Sequence, residues 1–275
     1  MKRFFVSTNH HSRSRNFSSV GGKKEDYNLT TLLFGANTDV GKSLVSAGLV
    51  RASNKNVRYI KPLQCGGSDA KFVERHMSGA ANNVTTKTLF TWKTPTSPHL
   101  ACQIENKFVS PQQLRQTLHD TLNSPQNKYE MTIVETAGGV LSPTSCGTDD
   151  PWIPQANLYQ SLLSPSQKEA VKSILVGDAK LGGISCTISS LEALLLRTYT
   201  VSAIVFVGSD DYCDNASTLN EYIPRLQIPN KPIILSLPPI PSDENIPLHS
   251  WYDQTQPQFQ TLYQHLLQTK NDNNQ

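Results

Sequence analysis

The chain has 275 residues, 37% of them hydrophobic and 17% charged, enough for one well-buried domain or two small ones. No apolar run reaches the roughly 18–20 residues that a bilayer-spanning helix needs, which excludes that class of membrane protein. The formal charge of +3 would suit a nucleic-acid partner, but Lys2, Arg3, Arg13, Arg15, Lys23 and Lys24 all precede the first acid, Glu25; beyond them 19 basic side chains face 22 acidic ones, a net of −3. The basicity belongs to the leader, so neither a nucleic-acid nor a membrane partner is expected. Cys65, Cys102, Cys146, Cys186 and Cys213 contain no C-x-x-C pair, which argues against a zinc site or disulfide framework and for reduced thiols.

Residues 1–25 are rich in Arg and Ser and free of acids before Glu25, the composition of an organellar transit peptide. Arg15-Asn16-Phe17-Ser18-Ser19 points to a mitochondrial address ahead of a plastid one; a tail without an address is the alternative. We set the leader aside, expect one folded domain over 26–268, and read 269–275 as a polar tail.

In chain order, Thr30–Phe34 reads as a buried strand, Lys42–Ala52 as a helix, Val57–Ile60 as a second strand ended by Lys61-Pro62, and Asp69–Met77 as helix. That second strand is expected beside the first. Leu114, Leu118 and Leu122 mark one face of a helix from Pro111 to Leu122. Met131–Val134 is a strand closed by Glu135 and the turn Ala137-Gly138-Gly139, and Ile174–Val176 another, closed by Gly177-Asp178. The segment 142–172, with Pro143, Pro151, Pro154 and Pro165, reads as the longest loop region. Ile184–Leu196 reads as helix, Val201–Val207 and Lys231–Leu237 as strands, and Phe259–Leu267 as a last helix. Strands alternating with helices imply an α/β, doubly wound, mostly parallel sheet covered on both faces.

In such sheets ligands collect at the carboxyl ends of strands, and the unusual residues fall there. GANTDVGKS, Gly35–Ser43, lies between a strand and a helix, the setting of a phosphate-binding loop, although five residues rather than four separate Gly35 from Gly41. Read as such a loop, its cofactor-binding residues are expected to be Gly35, Asn37, Thr38, Asp39, Val40, Gly41, Lys42, Ser43 and Leu44, with backbone N–H groups facing phosphate, Lys42 reaching the β/γ-phosphates and the Ser43 hydroxyl coordinating Mg²⁺; a glycine-rich turn with a surface lysine is the alternative. Lys61 stabilises developing anionic charge or is a surface lysine. Asp69 is a Mg²⁺ ligand or part of a helix cap, and Glu135 a Mg²⁺ ligand or a paired strand-end acid. His99 is left unassigned.

Assembled, these residues resemble the dethiobiotin synthetases. The carriers are GANTDVGKS, YIKPLQCGGSDAKF, PTSPHLA, IVETAGGVLSP and ILVGDAKLGGISCTI, in the family's order over about residues 30–240. The five-residue spacing is itself a mark of that family. The wording most resembles the eukaryotic form, often fused to diaminopelargonate aminotransferase; this chain would be a stand-alone enzyme or a fragment, with an aminotransferase as fused or separate partner. The resemblance implies a P-loop NTPase-like fold and ATP- and Mg²⁺-dependent conversion of 7,8-diaminopelargonate and CO₂ to dethiobiotin through a carbamate and a carbamic-phosphoric anhydride.

It also implies residue roles: Lys42, Lys61 and Thr38 catalytic; Ser43, Asp69 and Glu135 holding metal; Lys61, Cys65, Gly138 and Gly139 at the substrate. Leu181, Gly182 and Ser185 would bind the substrate carboxylate across a homodimer interface. Two departures stand out. Cys65 replaces the family's usual Ser or Thr, and Gly208-Ser209-Asp210-Asp211 stands where bacterial members place an adenine-reading Asn. The alternatives are an inactive nucleotide-binding relative and a partitioning-type ATPase switch. Against the switch, Gly35–Val40 contains no lysine and Trp251–Gln268 neither Lys nor Arg.

Overall fold

The structure is a computed structural model describing residues 29–77, 84–124, 129–160, 171–208, 214–242 and 248–268. The leader, the polar tail and residues 209–211 of the adenine-region motif lie outside the described residues. Among the described residues, seven parallel strands form one sheet: β1 (Leu29–Gly35), β2 (Val57–Cys65), β3 (Val84–Trp92), β4 (Met131–Gly139), β5 (Val171–Val176), β6 (Val201–Val207) and β7 (Ile233–Leu237), ordered β3-β2-β4-β1-β5-β6-β7. β1, LTTLLFG, is almost wholly buried because it pairs with β4 and β5 and is covered on both faces.

The helices are α1 (Lys42–Ser53), α2 (Asp69–Arg75), α3 (Pro98–Ile104), α4 (Pro111–Leu122), α5 (Gln155–Gln160), α6 (Gly183–Leu196), α7 (Asn215–Tyr222) and α8 (Leu248–Gln268). Two apolar clusters flank the sheet. One joins Phe34, Ile60, Val134, Leu175 and Phe206 to Leu114, Leu118, Leu191 and Leu194. The other joins Leu33, Tyr59, Ile133 and Val205 to α1 and to Trp251, Tyr252, Phe259 and Leu262 of α8. Alternate strand residues thus feed opposite layers. α8 reaches α1 closely because Gly48 has no side chain: a Cβ there would sit 2.1 Å from Phe259 Cζ.

Several expectations need correction. β2 does not end at Lys61 but runs to Cys65, and β4 runs past Glu135 to Gly139. Nor does β2 lie beside β1, since β4 is inserted between them. Strand β3 and helices α3, α5 and α7 were not expected. α3 begins with Pro98 in its first turn, a favoured position that reads like a loop in the sequence. α5 lies within the proline-rich segment, of which 161–170 fall outside the described residues, and α8 begins at Leu248 rather than Phe259. Helix α4 starts where expected, its first turn closed by Ser110 Oγ accepting from Gln113 N at 3.1 Å.

Candidate active site

The Gly35–Ser43 loop turns from β1 into α1 through two left-handed residues, Asp39 at φ 56° and Gly41 at φ 95°. Gly41 caps α1 without a side chain, leaving the helix's first N–H groups for an anion. Lys42 folds back across the loop, its Nζ donating to the Asn37 carbonyl at 3.2 Å. Gly35 makes room for it, since a Cβ there would lie 2.8 Å from that nitrogen. Asn37 orders the loop: Oδ1 accepts from Thr38 N at 2.8 Å and Nδ2 approaches Asp178 Oδ2 at 3.4 Å. The side chains of Val40 and Leu44 belong to the core packed on α1 and α8.

Behind the loop lies a buried charge cluster. Glu135 is 0% exposed, and all four of its contacts are donors. Oε1 accepts from Ser43 Oγ at 2.9 Å and Lys61 Nζ at 2.9 Å, and Oε2 from Ser46 Oγ at 2.7 Å and Tyr59 OH at 3.0 Å. Lys61 also meets Asp69 Oδ2 at 2.6 Å and the Thr136 carbonyl at 3.1 Å. Burial opposes ionisation of Glu135, but the Lys61 charge and hydrogen bond, with Ser46, outweigh it and hold the carboxyl below its ordinary range. Burial likewise opposes the Lys61 charge, yet Glu135 and Asp69 prevail and raise it. Lys42 differs: burial, then repulsion from Lys61, outweighs Glu135, Asp69 and Asp39 and lowers it to about 8.

Ser68 caps α2, its Oγ accepting from Lys71 N at 3.2 Å, and Asp69 stands in the first turn with its carboxylate on Lys61. Gln64 holds the preceding turn, accepting from Asp69 N at 3.1 Å and donating to the Gly66 carbonyl at 2.8 Å. Lys61 is no surface lysine but a buried one, and Glu135 is a buried acid paired with it, inside a strand that continues past it.

A cavity of about 800 Å³ opens over this cluster, bounded by Thr38 and Lys42 from the loop, Lys61 and Cys65 from β2, Asp69 from α2 and Gly138 from β4. Its volume is in the range of small-molecule sites. Burial, then the neighbouring Cys102 and Glu105, raises the Cys65 thiol to about 11, so it meets the cavity as a neutral group. Gly138 takes φ 67°, and a Cβ on it would stand 2.7 Å from Ser142 Oγ, the atom that accepts from Gly139 N at 2.8 Å. Leu181, Gly182 and Ser185 lie elsewhere, at the turn from β5 into α6 outside the cavity lining, with Leu181 90% exposed. Within the same chain, then, the residues expected at the substrate fall into two separate groups. His99 lies on α3, its Nδ1 3.1 Å from Ser97 Oγ and its ring against Trp152.

Ser46 and Tyr59 were missed by sequence reasoning, although the spacing carried a signal. Ser46 is three residues beyond Ser43 on a helix and Tyr59 two before Lys61 on a strand, so each shares a face with a chosen residue.

An AAA domain family matches residues 30–246. "ATP-dependent dethiobiotin synthetase BioD" of Rhodopseudomonas palustris is 32% identical, covering 64% of this chain and 74% of the relative. The chain belongs to the dethiobiotin synthetase family. "Bifunctional dethiobiotin synthetase/7,8-diamino-pelargonic acid aminotransferase, mitochondrial" of Oryza sativa subsp. japonica is 32% identical, covering 84% of this chain and 33% of the relative. The corresponding "Bifunctional dethiobiotin synthetase/adenosylmethionine-8-amino-7-oxononanoate aminotransferase" of Emericella nidulans is 37% identical over 73% of this chain and 24% of its own length. The chain therefore spans a quarter to a third of these bifunctional family members. Among the described residues no helix is long and apolar enough to cross a membrane.

Proposed function

We propose that this chain is an ATP- and Mg²⁺-dependent cyclo-ligase that converts 7,8-diaminopelargonate and CO₂ to dethiobiotin. The observation that carries this reading is the pairing of two buried lysines, Lys42 in the loop and Lys61 behind it, on one cavity with Ser43, Asp69 and Glu135.

In the proposed sequence one substrate amine captures CO₂ as a carbamate and loses a proton. A carbamate oxygen then attacks the γ-phosphorus of ATP, the bond to the bridging oxygen breaks, and ADP leaves. The second amine attacks the carbamoyl carbon of the anhydride, the carbon–oxygen bond to phosphate breaks, and the amine gives up a proton as phosphate leaves, closing the ureido ring. Such phosphoryl transfer is chiefly positioning and charge neutralisation. The loop N–H groups and Lys42 hold the phosphates, Lys61 faces the carbamate and transferring phosphoryl charge, and Thr38 and Gly138 border the reacting amine. Cys65 completes the near wall, while Gly139, next to Gly138, lies outside the lining and holds Ser142.

The donor set suits the cation. Ser43, Asp69 and Glu135 offer only hard oxygen atoms, and Lys61 and Ser43 hold both carboxylates and the hydroxyl in one contact network. When bound, Mg²⁺ would offset negative charge on the β- and γ-phosphates. Leu181, Gly182 and Ser185 of a second copy would hold the substrate carboxylate in a homodimer, and an aminotransferase, fused or separate, would supply the diamine in the mitochondrial matrix.

The test uses purified protein with labelled bicarbonate, Mg·ATP and 7,8-diaminopelargonate. Label entering dethiobiotin only with both ATP and diamine is the expected result. Folded protein that binds ATP yet incorporates no label would overturn the reading.

A further inference from the structure

The buried Tyr59 hydroxyl is not needed for packing, since a phenyl ring would fill the same space among α1, α8 and the sheet. Tyr59 is 0% exposed and belongs to that apolar cluster, yet its hydroxyl donates to Glu135 Oε2 at 3.0 Å. Ser46 Oγ donates to the same oxygen at 2.7 Å. A carboxylate oxygen has two lone-pair directions, and on Oε2 both are occupied by donors fixed in the core. Oε1 carries the contacts that reach the cavity, Ser43 Oγ and Lys61 Nζ. The two oxygens of one carboxylate therefore do different work, one as anchor and one as functional face.

We infer that Tyr59 is a positioning residue: with Ser46 it locks the rotation of the Glu135 carboxylate so that Oε1, the oxygen held by Ser43 and Lys61, faces the cavity, where a divalent cation would take over the direction that the Ser43 hydroxyl occupies in the ligand-free chain. The inference rests on the Mg·ATP reading of the site and deepens it. Without the Tyr59 hydroxyl, Oε2 keeps one donor and the carboxylate is less tightly fixed about its terminal bond, which has only a broad two-fold preference. Partners that orient a metal-binding carboxylate typically change metal affinity by 10–100-fold when removed. A residue that merely filled space would leave that affinity unchanged when its ring was kept.

The experiment is Tyr59→Phe in the full chain. Binding of a non-hydrolysable ATP analogue is measured by calorimetry without divalent cation, and Mn²⁺ binding to the analogue complex is followed by its spin-resonance signal. The expected result is metal-free nucleotide affinity within about twofold of the unsubstituted chain, with Mn²⁺ affinity weakened about 10-fold. Ser46→Ala should weaken Mn²⁺ in the same sense, and Tyr59→Phe/Ser46→Ala should depart from additivity because both act on one oxygen. Unchanged Mn²⁺ affinity in a folded Tyr59→Phe chain would overturn the inference, as would equal losses with and without metal. If the unsubstituted chain binds the analogue but no Mn²⁺ with it, the cation reading itself falls and takes this inference with it. Should Tyr59→Phe not fold, Ser46→Ala, which removes the other donor on Oε2, decides by the same Mn²⁺ readout whether that oxygen is the anchor.

Discussion

The floor of the cavity and the turn from β5 into α6 are both glycine-containing approaches to a helix at strand ends, yet they are built in opposite ways. At the floor every contact of Glu135 is made, Lys61 is shared between two acids, and Lys42 is held against its own loop. The turn is closed by Gly183 N donating to the Lys180 carbonyl at 2.9 Å and tied to the rest of the chain at its base. Asn215 Nδ2 donates to the Asp178 and Lys180 carbonyls at 2.8 and 3.1 Å, and Thr187 Oγ1 accepts from Asp178 N at 3.0 Å. Its tip is bare: Leu181 is 90% exposed and a Cβ on Gly182 would meet nothing within 4 Å. Charge handling in a dry site requires dipoles and charges fixed before the substrate arrives. A turn that a second copy completes, as proposed for this one, would have no such requirement.

The sharpest way to break this contrast is Lys42→Ala. ATP-dependent product formation should fall by at least about 10³-fold, on the scale of losing a fixed charge from a transition-state site. Stability should hold or rise, because the variant removes a buried cation repelled by Lys61. Product assays paired with thermal melts check both halves, and full activity would remove the phosphate-loop assignment. Glu135→Gln comes next. Lys61 would keep Asp69 at 2.6 Å but lose its fully buried partner. Breaking a buried pair costs about 3–5 kcal/mol, and the Asp69 contact should hold the loss near the lower end. Denaturant unfolding measures that loss. The Mg²⁺ titration of activity should also move to higher concentration, and an unmoved titration would remove the proposed metal role.

How much of this was legible in the sequence follows the same division. The loop, the core strands and α4 announce themselves through strand–glycine–helix punctuation, continuous apolar runs and four-residue leucine spacing. Elements near proline or at a sheet edge do not. α3 starts on Pro98, and β3 pairs with β2 alone, so VTTKTLFTW is only half buried and lacks a core strand's apolar run. The position of β2 was misjudged for another reason: strand order is set by how crossovers pack, and composition within Val57–Ile60 says nothing about β4 entering between. At the site, the charged residues could be chosen one at a time, but their mutual saturation could not. A tyrosine in a strand reads as core, and only the pairing of β2 with β4 brings its hydroxyl to Glu135.

Lys42 supplies a pH test of the floor. With its ligand-free value lowered to about 8, the lysine is charged below that pH and ready for phosphate. Above it, nucleotide binding must take up a proton, so affinity should fall by up to about tenfold per pH unit until the bound-state value is reached. Its contribution to folding runs the other way. The unfolded lysine binds its proton more tightly than the folded one, so between about 8 and 10.5 the penalty for burying the charge is relieved and stability gains with pH. Weaker binding at alkaline pH therefore cannot arise from unfolding driven by this group. Calorimetry at pH 8 in buffers of different ionisation enthalpy should show about half a proton taken up per nucleotide, and Lys42→Ala should abolish that uptake. The facing groups Lys61, Glu135, Asp69 and Asp39 remain in the variant, so persistent uptake would assign the proton to one of them.

The smallest effect on the floor, and the most informative about the turn, is expected from Leu181→Asp. The side chain touches no part of the cavity and is exposed, so nucleotide affinity and thermal stability should stay within about twofold and 0.5 kcal/mol of the unsubstituted chain. If the tip meets the substrate carboxylate of a neighbouring copy, a new negative charge there should raise the KM for 7,8-diaminopelargonate while leaving that for ATP in place. Leu181→Asn, similar in size to the aspartate but neutral, separates charge repulsion from loss of apolar contact. A KM that rises with Asp but not with Asn would mark the tip as anion-facing. Equal rises would mark it as an apolar contact between copies, detectable as a weakened dimer by sedimentation. An unchanged KM in both variants would detach the turn from the reaction and leave the floor to act within one chain.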